Sequence, residues 1–215
     1  MSQSASRSSP SRAQQGIQTR QRILATALEL FSERGYDGVS LRMIGDAVGV
    51  NHAMIRYYFD NKAKLWEAAI DFLFERIERE VSQHKRAALA AGELNAKERA
   101  KVIVRAYIHY CARHPEHARI MIRENICAND RLQATSQYIA RHHAAVAPVL
   151  ESWIKAKLVP DIPVVSLIYA IVGMSQLPFT LASEVKAVHG IDINTQSAID
   201  THCDTVIKLL FRDED

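Results

Sequence analysis

The 215-residue sequence contains little glycine, proline or cysteine. Only eight glycines and six prolines are present, which disfavours an all-β sandwich or barrel, because those folds need many tight turns. The three cysteines, Cys111, Cys127 and Cys203, are far apart and form no CxxC pair. This pattern predicts reduced thiols in a cytoplasmic protein rather than a disulfide framework. No apolar segment of the signal-peptide kind occurs near Met1, so we expect no secretory signal.

The common motifs of enzymes are also missing. The sequence has no Walker loop, GxGxxG, GxSxG or HExxH motif, so we expect a protein that is not an enzyme and needs no cofactor. His109, Cys111, His114 and His117 are residue types that bind zinc. Pro115 interrupts the helix between them, however, so they need not share a face, and we expect no metal site. A metal-dependent enzyme using this region remains an alternative.

The residues that are present favour an all-α fold of nine helices. Apolar residues make up 48% of the chain, and the good helix formers dominate. Residues 1–16 are rich in serine and predict a disordered basic tail. Helical periodicity begins at Thr19, and later helix starts are predicted from N-cap residues and prolines: Ser40, Asn51, Asn61, Asn95, Pro115, and Asn129 or Asp130. The uncharged segment 164–182, with a bend expected at Pro178, predicts a buried or interface helix better than a membrane span.

Positive charge is concentrated near the N-terminus. The whole chain has a formal charge of +3, but residues 1–64 contain nine Lys/Arg and only five Asp/Glu. The remaining residues are close to neutral. This asymmetry suggests an anionic partner for the N-terminal part, although a surface imbalance without function is an equally simple explanation.

Residues 40–65 have the pattern of a helix-turn-helix. Gly49 gives the turn its backbone freedom, and four apolar residues are spaced to pack the two short helices together: Ile44, Ala47, Val50 and Ile55. The outward positions of the second helix are then Asn51, His52, Ala53, Arg56 and Tyr57. Hydrogen-bonding side chains and one small residue in these positions are suited to contacts with DNA bases and phosphates. Lys62, at the start of the next helix, is placed to contact a phosphate.

The wider pattern resembles the TetR family of transcriptional repressors. The resemblance covers Thr19–Leu65 and is carried by Gly35-Tyr36, Ser40-Leu41-Arg42, Ile44, Ala47 through Asn51, Ile55, Tyr57-Tyr58-Phe59 and Lys62 through Leu65. It implies a nine-helix, two-domain architecture with a DNA-binding domain at 17–64 and a ligand-binding and dimerisation domain at 65–215. It also implies a homodimer through helices at about 164–188 and 195–211, which would account for the apolar stripe of 199–210.

The resemblance assigns expected roles by position. Ser40 and Arg42 match backbone-contacting positions, Asn51, His52 and Ala53 match the tip of the recognition helix, and Tyr57 and Lys62 match phosphate contacts. Tyr58 and Phe59 are expected in the core. Two residues depart from the family pattern, which often has Gly at position 53 and Tyr at position 56. Arg56 is open to two interpretations, a DNA contact or a surface salt bridge.

A ligand pocket is implied within the body helices, where pockets and cores use the same residue types. The candidate ligand-binding residues are Tyr107, Cys111, Met121, Asn125, Tyr138, His142, Met174 and Phe179. His142 and His143 are adjacent and point about 100° apart on a helix, so only one is expected to line the pocket. A small, largely apolar organic molecule is the expected effector.

Together these features predict a dimeric, ligand-responsive repressor that binds a near-palindromic operator in double-stranded DNA. Effector binding is expected to shift the long helix 61–91 and so to change the separation of the two DNA-binding domains. Because Ala53 and Arg56 depart from the family pattern, a regulatory protein that binds ligand but no specific DNA, and acts through a protein partner, remains an alternative.

Overall fold

The structure is a computed structural model that describes residues 11–90, 92, 94–127 and 130–211. Within these residues the chain forms ten α-helices and no strand: α1 (Arg12–Arg34), α2 (Leu41–Val48), α3 (His52–Phe59), α4 (Lys62–Ala90), α5 (Ala96–Arg113), α6 (Pro115–Cys127), α7 (Asp130–Lys155), α8 (Val164–Thr180), α9 (Ala182–His189) and α10 (Gln196–Leu210). They form two compact units, a head that ends at Ile70 and a body that begins at Asp71. The boundary falls within α4, a few residues later than the sequence predicted.

The all-α prediction is confirmed, and the tenth helix arises from a break in the uncharged segment. α8 ends at Thr180, and α9 begins two residues later with its axis turned by 67°. Pro178 lies in the last turn of α8, where its missing N–H weakens the helix. Within the described residues, no single helix combines the length and apolar composition needed to cross a membrane. The bent pair α8–α9 passes that test of length and composition only when its two helices are taken together.

The first helix begins earlier than its periodicity suggested. The Ser11 hydroxyl accepts the N–H of Gln14, and the Gln14 side chain accepts the N–H of Ser11, which is a capping box. Helix α1 therefore starts at Arg12, and residues 12–16 belong to it rather than to the predicted disordered tail. Residues 1–10 of that tail lie outside the described residues.

Four predicted helix starts are confirmed by short polar side chains that cap the first turn. The Ser40 hydroxyl accepts the Met43 N–H at 3.2 Å. The side-chain oxygens of Asn51, Asn61 and Asn95 each accept a backbone N–H three residues later, at 2.8, 3.0 and 2.9 Å. These side chains satisfy donors that have no partner within the helix, which explains why the helices begin where they do.

The head has an apolar core with an aromatic group at one side. Phe31 contacts Trp66 edge-on at 4.9 Å and stacks on Tyr36 at 5.9 Å between ring centroids. The fully buried aliphatic residues around them come from α1, α2, α3 and α4: Ile23, Leu24, Leu28, Ile44, Ile55 and Leu65. This core fixes α2 and α3 against α1.

The body core is built from α4, α5, α7, α8 and α10. The apolar stripe of the last helix, Ile199, Cys203, Val206 and Leu210, is buried within this same chain. Burial within the chain therefore accounts for this stripe without a subunit interface, because its side chains are already covered by the body's own helices. The apolar residues of α8 to α10 that remain exposed are different ones: Val165, Tyr169, Leu177, Leu181, Val188, Ile191 and Leu209.

Candidate nucleic-acid interface and body cavity

The turn between α2 and α3 is closely packed. Gly49 ends α2 with φ of 78°, a conformation that favours glycine. A side chain at Gly45 would meet the Val50 carbonyl oxygen at 2.9 Å, so glycine also allows the turn to fold back on α2. The guanidinium of Arg22, on α1, donates to the Val48 carbonyl at 2.8 Å. These contacts hold α3 in a defined orientation within the head.

The packing between α2 and α3 differs from the prediction at one position. Ile44 and Ile55 are fully buried, as expected, and Val50 is half-buried. Ala47, however, is exposed, so its assignment to this contact is wrong. Gly45 occupies the buried position instead, because the turn approaches α2 too closely for a side chain.

The outward face of α3 is exposed along its length. Asn51, His52, Ala53, Arg56 and Tyr57 are all solvent-accessible. Tyr57 is the most exposed large hydrophobic side chain of this face, at 84%. Its ring packs edge-on against the half-buried Tyr58, whereas Phe59 is buried.

Two of the candidate DNA contacts also stabilise helices. The Asn51 oxygen Oδ1 caps α3, which leaves its amide N–H groups available to a partner. The Ser40 hydroxyl oxygen caps α2, and its own hydrogen stays available. Each side chain can therefore fix its helix and donate a hydrogen bond outward.

The basic candidates lie in three different environments. Arg42 is 3.8 Å from Asp46, and both side chains are exposed. Arg56 forms no ion pair with any described residue, so the salt-bridge alternative has no support, and a DNA contact remains a prediction. Lys62 is half-buried, with its Nζ 4.3 Å from the centroid of the Tyr36 ring. The Tyr36 ring thus helps to position Lys62.

The body contains a cavity of about 900 Å³ between α4, α5, α6, α7 and α8. Five predicted ligand-binding residues line it: Tyr107, Met121, Asn125, Tyr138 and His142. The other three predicted residues, Cys111, Met174 and Phe179, do not belong to the described lining of the cavity. Cys111 and Phe179 are instead buried in the core, where Phe179 meets His202 edge-on, and Met174 packs against the same core. The binding roles of all eight remain predictions.

His142 and His143 both line the cavity, so the expectation that only one of them would do so is wrong. His142 lies 6.1 Å from Phe74 of α4, and His143 meets Tyr169 of α8 edge-on at 5.6 Å. The cavity extends around this side of α7. The side chains of His142 and His143 can therefore both point into it, although they are about 100° apart on the helix.

Several cavity residues were not identified from the sequence, including Phe74, His117, Trp153 and Gln176. Each lies on the apolar stripe of a helix or beside it, where core and cavity positions have the same pattern. His117 was considered only as a possible metal ligand. Nothing in the local sequence distinguishes these residues from core, because the cavity is formed by five separate helices.

Burial changes the acid–base properties of the polar cavity residues. Tyr107 accepts a hydrogen bond from the Gln176 amide at 2.7 Å, and burial raises the pKa of Tyr107 well above its usual value. Burial, together with the nearby Arg76 charge, lowers the pKa of His117 to about 3. Burial also lowers the pKa of His142, with His143 adding to the effect. At neutral pH these side chains are uncharged hydrogen-bonding groups.

The histidines once considered as a metal cluster have separate partners. His109 stacks on His84 and lies 3.5 Å from Asp200, His114 contacts the carboxylates of Glu80 and Glu116, and His117 pairs with Tyr110. Among the residues that the structure describes, no group of three or more His, Cys, Asp or Glu side chains is arranged to hold a metal ion.

A helix-turn-helix head and a helical body with an internal cavity define a two-part regulatory protein. Residues 23–69 match the family described as bacterial regulatory proteins, tetR family, and residues 82–213 match the family described as YcdC-like protein, C-terminal region. The chain belongs to the tetR family of bacterial regulatory proteins. The resemblance drawn from residues 19–65 is thereby confirmed.

The chain is similar to several known proteins. It is 32% identical over 115 residues to the HTH-type transcriptional repressor NicS of Pseudomonas putida, over 54% of this chain and 52% of NicS. It is 37% identical over 54 residues to the biofilm operon regulator IcaR of Staphylococcus aureus, over 25% of this chain and 29% of IcaR. The chain thus spans about half the length of NicS and less than a third of IcaR.

The fold is similar to that of AibR, solved in complex with isovaleryl coenzyme A and operator DNA. The TM-score is 0.67 at 17% identity, over 90% of this chain and 98% of AibR. At this level of identity the likeness concerns the fold alone.

Proposed function

We propose that this protein is a ligand-responsive transcriptional repressor that acts in the cytoplasm as a homodimer. In this proposal the exposed face of α3 enters the major groove of a near-palindromic operator, and a small organic effector in the body cavity releases the protein from DNA. The named relatives NicS and IcaR are repressors or negative regulators, and AibR has been solved with operator DNA, which supports the proposal.

The observation that carries this proposal is the exposed face of α3. A recognition helix needs side chains that are accessible, hydrogen-bonding and held in place by a rigid scaffold. Asn51, His52, Arg56 and Tyr57 meet the first two conditions. The packing of the turn against Gly45 and the hydrogen bond from Arg22 to Val48 meet the third.

The test is selection of DNA from a randomised duplex pool by the full-length protein, followed by a salt titration on the enriched sequence. We expect an enriched inverted repeat whose affinity falls steeply with salt, because phosphate contacts release counterions. Binding without any sequence preference would contradict the proposed repressor. It would favour a regulatory protein that acts through a protein partner.

Homodimer formation has support from α8. Its exposed face carries Val165, Tyr169, Gly173 and Leu177 at four-residue spacing, with no charged residue. Such an apolar stripe is an aggregation hazard unless a second copy covers it. Gly173 has open space where a side chain would point, so Gly173→Arg should place a charge on the stripe without disturbing the chain's own packing. Sedimentation analysis should show a dimer for the wild type and a folded monomer for this variant, while a dimeric variant would remove α8 from the interface.

A further inference from the structure

A row of buried polar side chains runs from the core of the body to the wall of the cavity. At its inner end Arg76 donates to Glu116 at 2.6 Å, and both side chains are almost completely buried. The guanidinium also lies over the ring of the fully buried Tyr110, 5.9 Å from the ring centroid. The Tyr110 hydroxyl in turn lies 3.1 Å from Nδ1 of His117, and His117 lines the cavity.

This row determines which nitrogen of His117 carries the hydrogen. The Tyr110 hydroxyl has two acceptors within reach, the Leu73 carbonyl oxygen at 3.5 Å and Nδ1 of His117 at 3.1 Å. The shorter contact assigns the hydroxyl hydrogen to Nδ1. Burial and the Arg76 charge lower the pKa of His117 to about 3, so the ring is neutral at physiological pH. A neutral imidazole that accepts at Nδ1 carries its hydrogen on Nε2.

The Nε2–H group has no partner within the described part of the chain. His117 is only 7% exposed, and its described hydrogen bond is the one at Nδ1. Nε2 is not among the fully buried side-chain atoms that lack a partner, so it is reachable from the cavity, where a ligand oxygen can accept its hydrogen. The cavity wall therefore presents one fixed, uncharged hydrogen-bond donor.

Aromatic rings surround this donor. Phe74 meets His117 edge-on at 5.6 Å and stacks on Tyr138 at 5.7 Å with an angle of 11° between the ring planes. His142 lies on another side of the same Phe74 ring. Flat side chains in these orientations favour a flat, ring-containing ligand, because aromatic rings pack best stacked or edge-to-face.

The charges around the cavity disfavour an anion. Asp71, Glu75 and Glu78 lie on one exposed face of α4 and line the cavity. Among the described lining residues the one Lys or Arg is Arg141, whose guanidinium is 4.6 Å from the centroid of the Tyr138 ring. An anionic ligand would approach a rim that is negative overall.

We propose that the effector is an uncharged, ring-containing organic molecule that places a carbonyl-type oxygen on the Nε2–H of His117. The proposal rests on the proposed function, since it defines the chemical class of the effector for the same cavity. Glu116, Arg76 and Tyr110 are positioning residues that orient the donor and do not touch the ligand.

The first experiment uses four naphthalene probes of similar size and measures their affinity for the DNA-free protein by calorimetry. The probes are 2-acetylnaphthalene, 2-isopropenylnaphthalene, 2-naphthoate and 2-naphthylmethylammonium. We expect 2-acetylnaphthalene to bind about five- to tenfold more tightly than 2-isopropenylnaphthalene, which has the same shape without the oxygen, because one neutral hydrogen bond is worth about that factor. Tightest binding of 2-naphthoate, equal binding of the first two probes, or no binding at all would overturn the proposal.

Variants then locate the hydrogen bond. His117→Phe keeps an aromatic ring at the site and should abolish the preference for 2-acetylnaphthalene over 2-isopropenylnaphthalene. His142→Phe, the matched control on the same cavity, should preserve it. Loss of the preference in the His142 variant but not in the His117 variant would overturn the assignment.

The nitrogen assignment is testable without any variant. Nitrogen NMR of histidine-labelled protein should show His117 as a neutral ring protonated at Nε2, unchanged between pH 5 and 8. A ring protonated at Nδ1, or one that titrates in this range, would contradict the proposal. Since neither this measurement nor the calorimetry involves DNA, their failure is distinguishable from a failure of the DNA selection, which tests the proposed repressor itself.

Discussion

The head and the body place their candidate sites in opposite environments. All eight candidate DNA contacts of the head lie between Ser40 and Lys62, and most are exposed. The cavity of the body collects residues from Asp71 to Gln176, and most of its uncharged polar side chains are half-buried or buried. A short, exposed site is encoded by neighbouring residues, whereas a buried site depends on which helices pack together. The two regions should therefore respond differently to mutation.

The largest difference between body and head is expected in the stability lost when an ion pair is broken. The pair Arg76–Glu116 in the body is buried, so Arg76→Leu leaves a carboxylate in the core and should lower the free energy of unfolding by about 3 kcal/mol. The contact of His114 with Glu116 keeps the loss from being larger. Chemical denaturation measures this change.

The matched control in the head is Arg42→Leu, which breaks an exposed pair and should leave stability unchanged. The double change Arg76→Met with Glu116→Leu should restore most of the lost stability, because no charge is then left alone in the core. A similar loss for the two single variants would remove the contrast between the regions.

The next effect is the acid sensitivity of the body. The pKa of His117 falls from its ordinary 6.5 to about 3 on folding. The unfolded chain therefore binds more protons below pH 6.5, and stability is lost as the pH falls. One such group contributes about 2 kcal/mol between pH 6.5 and 5, which thermal unfolding across this range measures.

His117→Phe should flatten this part of the pH dependence. The pKa values of Glu80 and Glu116 are lowered from 4.5, so these carboxyls change stability only below about that pH. Between pH 6.5 and 5 the change in stability therefore comes from the histidines. An unchanged slope in the variant would show that His117 is not held neutral by the fold.

A smaller effect is expected at Asn51 in the head, where two substitutions distinguish its role in capping α3 from its role in DNA recognition. Asn51→Ala removes the cap of α3 and should cost about 1 kcal/mol of stability, whereas Asn51→Ser keeps a capping oxygen and should cost little. Both variants lack the amide N–H groups, so both should lose base preference on the selected operator. Full base preference in the serine variant would limit Asn51 to a structural role.

The smallest effect on folding is expected at Lys62. Lys62→Ala should reduce the slope of log affinity against log salt by about one, because a single phosphate contact is lost. Its contact with the Tyr36 ring contributes less than about 1 kcal/mol to stability. Lys64→Ala, at an exposed position in the same turn, provides the control, and an equal loss of slope in both variants would mean that the effect is not specific to Lys62.

The helices were predictable because their determinants are local. Ser40, Asn51, Asn61 and Asn95 were recognised as caps, and each accepts the backbone N–H expected of it. The structure differs from these local patterns where distant residues decide the outcome. Ala47 is exposed because the turn packs on Gly45, and the apolar stripe of α10 is core because the body's own helices cover it.

For this protein the order of residues alone determined the helical class, most helix ends, the helix-turn-helix and the family, because caps, turns and periodicity act over a few residues. Only the tertiary structure decided which apolar residues line a cavity and which fill a core. It also decided that Arg76, Tyr110 and His117 form one polar row, although they lie on three different helices. Contacts between residues far apart in the chain depend on the packing of whole helices, which no local pattern encodes.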